Sequence, residues 1–99
     1  MVTHVVMFTV RDKEGKSRDE IARDIKEKLE SMQGRVPHFY SLEVGVNRAQ
    51  SEAASDVVLI SRHKDWAALS AYADDPIHRE IGAYVVENSS SRSVVDYES

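Results

Sequence analysis

The stretch Thr3-His4-Val5-Val6-Met7-Phe8-Thr9-Val10 decides how this chain is read. Its Val, Phe and Thr content favours a pleated strand. By alternation, one face carries Val2, His4, Val6, Phe8 and Val10, and the other Thr3, Val5, Met7 and Thr9. Both faces are largely apolar, so both require cover. Asp56-Val57-Val58-Leu59-Ile60-Ser61 repeats the pattern as a further strand that is apolar on both sides.

Between these two strands, Arg11 to Lys16 is a charged turn, and Ser17 stands three residues before Glu20 in the pattern of a capping box. Ile21, Ile25, Leu29 and Met32 then form one apolar stripe on a helix, with Gly34 and Pro37 past its end. Phe39 to Asn47 reads as a strand with Tyr40, Leu42, Val44 and Val46 on one side. Gly45 within it signals a bulge or a close backbone approach. Asn47 to Ala54 is a polar loop. After the third strand, Asp65 caps a short helix with Trp66, Leu69, Tyr72 and Ala73 inward. Asp75-Pro76 restarts the chain as a second helical piece with Ile77, Ile81, Tyr84 and Val85 inward. Ser89 to Ser91 is expected as a loop, and Ser93 to Tyr97 as the last strand.

The order is β-α-β-β-α-β, an α+β chain of the ferredoxin-like kind. Right-handed crossovers put both helices on one face of a four-stranded antiparallel sheet. The other face is then bare. About six Val, Leu, Ile or Phe side chains left there would forfeit on the order of 10 kcal/mol, at ~1.5–3 kcal/mol each. That rivals the roughly 5–15 kcal/mol of a small domain's whole stability. A two-fold copy of the same sheet is the economical cover, so a homodimer is expected, sheet against sheet.

Ninety-nine residues make a single domain over 1–99 with room for one core. The net charge is −4, and no run of Lys or Arg offers the basic face that nucleic acid demands. Absence of cysteine removes disulfides, thiolate catalysis and Cys-ligated zinc together. No stretch approaches the ~20 apolar residues of a membrane span, and the apolar start is too short for a signal peptide core. The expectation is a soluble cytoplasmic protein with no nucleic-acid partner and no membrane partner. There is no phosphate-cradling glycine loop and no dinucleotide fingerprint, so no cofactor is expected, and no metal site either.

Several segments together resemble the stress-responsive dimeric α/β-barrel (Dabb) domain family. They are Thr3 to Phe8, Val36-Pro37 with Leu42 to Asn47, Ser55 to Ile60, Trp66 to Tyr72 with Asp74 to His78, and Val94 to Tyr97. The resemblance implies a ferredoxin-like protomer pairing into a dimeric α/β barrel. Most members have no established activity; a plant relative is a polyketide cyclase working in a pocket between sheet and helices. That relative's first-strand histidine, and the tyrosine and histidine flanking its proline turn, match His4, Tyr72 and His78. Asp75 stands where the family often has a histidine, and Val36-Pro37-His38 where it has Ile-Pro-Gly.

Three functions follow as expectations. The first is a small apolar or phenolic ligand bound in that pocket, with no assigned activity. The second is a cofactor-independent cyclase or lyase, with His78 as base, Tyr72 as acid or oxyanion donor and His4 as positioning group. The third is a haem- or quinol-handling monooxygenase, which shares the dimeric barrel and rests on fold analogy alone. Tyr72 also reads as a core aromatic, and His78 as a helix-start residue bonding locally. His63 and His38 are expected to be solvated, and Trp66 to anchor the core.

Overall fold

A computed structural model describes residues 1–99. The elements run β1 (Val2–Val10), α1 (Arg18–Glu30), β2 (Ser41–Val46), β3 (Val57–His63), α2 (Trp66–Asp74), α3 (Pro76–Glu87) and β4 (Ser89–Glu98). The strands form one sheet in the order β2-β3-β1-β4, each neighbour antiparallel. This is the expected βαββαβ ferredoxin-like topology.

Local chemistry sets the helix starts. Ser17 Oγ accepts the Glu20 N–H at 3.1 Å while Glu20 Oε1 accepts the Ser17 N–H at 3.2 Å, a complete capping box. Asp65 accepts from the Ala68 N–H at 2.8 Å to open α2. Asp75 ends α2 and caps α3, accepting from the N–H groups of Ile77 and His78 at 2.9 and 3.3 Å, with Pro76 as the first helical residue. Gly45 makes no bulge, since the β2–β3 register is continuous; a Cβ there would meet Val58 Cγ1 at 3.3 Å. The close approach, not the kink, is what glycine permits.

The core lies between the helices and the face bearing Val6, Phe8, Leu42, Val44, Val57 and Leu59. The opposite face carries Val5, Met7, Val58, Ile60, Val95 and Tyr97, joined by the pairings Val5 with Ile60 and Val95, Met7 with Val58, and Thr3 with Tyr97. Met7, Val95 and Tyr97 are exposed, and Val5, Val58 and Ile60 are half-buried. No helix is long and apolar enough to cross a membrane.

Three expectations are corrected. Ser89 to Ser91 is not a loop: α3 passes through the cap Asn88 straight into β4, where Ser89 and Ser91 pair with Val10 and Thr9 across a bulge. Backbone pairing with β1 overrides the turn preference of serine. Trp66 is not a core anchor; it is 46% exposed and its indole N–H donates to the Glu98 carboxylate. His63 is not solvated. β3 runs two residues beyond Ser61, and alternation turns Val57, Leu59, Ser61 and His63 all inward.

Candidate functional site

Between the helices and the sheet lies a cavity of about 320 Å³. His4, Tyr72 and His78 all line it, so the three residues singled out from the sequence share one space. Arg92 and Asp96 of β4 line it too, and most of the remaining wall is apolar. That combination of an apolar enclosure with a few polar groups is the usual form of a small-molecule site. Nowhere in the chain are three His, Asp or Glu side chains grouped to hold a metal ion.

His78 owes its position to the Asp75-Pro76 break, which puts it in the first turn of α3. Its Nδ1 lies 3.1 Å from the Ala73 carbonyl. A carbonyl only accepts, so Nδ1 carries the hydrogen and Nε2 keeps its lone pair. Burial lowers the proton affinity of this ring; His4 and Arg92 act in the same sense, while the Ala73 carbonyl and Asp75 oppose. His78 is therefore a neutral imidazole at pH 7.

His4 comes from β1, opposite Asp96 of β4 in the strand register. Its Nδ1 is 2.5 Å from Asp96 Oδ1, so Nδ1–H donates to the carboxylate and fixes the ring. Tyr72 is the hub: its ring centroid lies 4.4 Å from His78, 4.7 Å from His63, 6.0 Å from Phe39 and 6.2 Å from His4. Its hydroxyl makes no hydrogen bond to His78; it points to Met32 Sδ at 4.0 Å. Burial pushes the phenol up to about 12, with hydrogen bonding to Ser61 the smaller, opposing influence. Tyr72 is thus a protonated phenol whose ring, rather than its hydroxyl, meets His78.

Asp96, Arg92 and Ser61 were not singled out from the sequence, and His63, expected to be solvated, belongs to the buried cluster around Tyr72. His63 is fully buried, with Nδ1–H donating to the His38 carbonyl at 2.7 Å and Nε2 accepting from Ser61 Oγ at 2.8 Å. His38 holds that carbonyl in place with a backbone φ of 77°. Burial drives the His63 imidazole towards the neutral form. Strand alternation from Val57 was the signal that places Ser61 and His63 inward. Asp96 required the β1–β4 register, which no local pattern supplies.

The family profile of the stress responsive A/B barrel domain matches residues 2–99. Among solved structures, a dimeric ferredoxin-like protein of unknown function from Bacteroides fragilis is 27% identical, with a TM-score of 0.81 over 99% of this chain and 95% of that one. A Dabb family protein with a ferredoxin-like fold from Mesorhizobium loti is 17% identical, with a TM-score of 0.78 over 99% and 95%. A hydroxynitrile lyase from Passiflora edulis is 16% identical, with a TM-score of 0.77 over 97% and 90%. The last two likenesses establish the fold alone. A search of curated protein sequences finds no match.

Proposed function

The chain belongs to the stress-responsive A/B barrel domain family, and from that premise we propose that it is a homodimer in which each subunit binds a small, mostly apolar molecule and moves a proton on it. Residues 1–99 act as one domain. Homodimerisation is supported by the apolar outer sheet face and by the dimeric state of the Bacteroides fragilis protein. A cytoplasmic setting is supported by the lack of cysteine, since so short a secreted domain ordinarily needs disulfide staples.

One observation carries the chemistry: the His78 Nδ1–H is spent on the Ala73 carbonyl, leaving Nε2 as a neutral base on an apolar cavity wall. The substrate class is a small carbonyl compound with an acidic carbon–hydrogen bond. His78 takes the proton from carbon. His4, fixed by Asp96, positions the substrate oxygen, and Tyr72 supplies the ring against which His78 is held. In this assignment Tyr72 positions the base and is not itself the acid, because its hydroxyl is turned to Met32. A pure ligand carrier would use the same cavity without the proton step.

Exchange of the acetophenone methyl protons in heavy water, followed by NMR, separates the two. An enzyme accelerates exchange over buffer, and His78→Ala reduces the acceleration by about 100-fold. Exchange at the buffer rate in the native protein refutes the proton-transfer role and leaves a carrier.

A further inference from the structure

A second cavity, of about 430 Å³, opens where α3 meets β4. Phe8, Val86 and Arg92 line both cavities, so the two spaces meet at these side chains. The outer space adds the polar residues Arg11 and serines 89–91 to Arg92.

The cations at and beside this space are not equivalent. Arg11 donates to the Ser89 carbonyl at 3.2 Å, and Lys13 donates to Asn88 Oδ1 at 3.4 Å. Both sit at the C-terminal end of α3, where a positive charge complements the helix dipole. Their presence needs no ligand. Arg92 is different, for it takes part in none of the chain's ion pairs. The cavity's own carboxylate, Asp96, is taken by His4. A free guanidinium at this spot is not a sample of a generally basic surface, because the chain carries a net charge of −4. Its charge is felt inside the cavity, where it disfavours protonation of His78.

We propose that Arg92 receives a carboxylate on the bound molecule, whose apolar body fills the inner cavity beside His4 and His78. The planar guanidinium matches a carboxylate with two parallel N–H···O bonds, a geometry lysine lacks. This deepens the cavity reading above and rests on it: the ligand class becomes an anionic amphiphile rather than a neutral apolar molecule. The carboxylate also neutralises the charge that weakens His78 as a base, so loading the site raises the proton affinity of the base.

Phenylacetate and its neutral counterpart phenylacetamide test this by NMR titration of the full chain. The expected result is about tenfold tighter binding of phenylacetate, with shifts at cavity residues. In Arg92→Gln that preference disappears while phenylacetamide binds as before; Arg92→Lys recovers part of it. Arg92 is exposed on β4, so neither variant should alter thermal unfolding, which is measured alongside. Equal binding of both probes to the native protein, or an unchanged preference in Arg92→Gln, overturns the role of Arg92 and leaves the cavity reading standing. Binding of neither probe overturns both.

Discussion

His63 and His78 are both neutral imidazoles whose Nδ1–H groups are spent on backbone carbonyls, and they differ in what the second nitrogen meets. In His63 it accepts from Ser61, so every polar atom of a fully buried ring is satisfied and nothing is left for chemistry. In His78 it is free. Burial lowers the proton affinity of both rings below that of an unfolded histidine, near 6.5. As pH falls through 6.5 the unfolded chain takes up protons that the folded chain refuses, so stability is full above that pH and declines below it. For His63 the decline is at most about 1.4 kcal/mol per pH unit. Denaturant unfolding at pH 7, 6 and 5 checks this, and His63→Gln should flatten the profile. Tyr72 allows a sharper test. Tyr72→Phe keeps the ring and should leave the acetophenone exchange rate within about threefold, against the ~100-fold or greater loss expected of an essential acid. Tyr72→Ala should cost about 3–5 kcal/mol, because it empties the hub of the cluster. His4, Tyr72 and His78 were legible in the sequence through the family pattern. His63 was misplaced because its strand was ended two residues early.

The helix starts were the most legible elements, since each depends on residues within one turn. Ser17 with Glu20, and Asp75 with Pro76, state their roles locally, and the hydrogen bonds follow. Their loss should separate stability from function. Asp75→Ala and Ser17→Ala should each cost about 1 kcal/mol in denaturant unfolding. Only Asp75→Ala should also slow proton exchange, because Asp75 holds the turn that presents His78, whereas Ser17 caps α1 about three turns from Leu29, the residue by which that helix reaches the cavity. Equal exchange rates in the two variants would mean that Pro76 and packing alone set the turn. β4 was the least legible element. Three serines in a row carry a turn preference, and only the ladder to β1, invisible in any local window, makes them strand. The same ladder delivers Arg92 and Asp96 to the cavity, so the half of the site that was missed was missed for one reason.

At the scale of the whole molecule, the outer sheet face sets the assembly. Val95 is 54% exposed, Tyr97 45% and Met7 38%, on a face continuous with Val5, Val58 and Ile60. Covering a Val or Met side chain is worth roughly 1.5–3 kcal/mol, and a two-fold interface collects each contribution twice. β4 adds a second reason. It is an edge strand of ten residues with only Ser89 buried, a liability that association removes. The native chain should therefore sediment as a dimer at micromolar concentration, with an unfolding midpoint that rises with protein concentration. Val95→Glu places a carboxylate of each subunit at the most exposed apolar position of that face and should raise the dimer dissociation constant by at least about 100-fold, the equivalent of ~2.7 kcal/mol. Arg62→Glu, at the rim of the same face, should change it far less. A native chain that sediments as a monomer with a concentration-independent midpoint would show that the helices and sheet suffice alone. The exposed valine and tyrosine on that face of β4 would then have to be met by something other than a second copy of this chain.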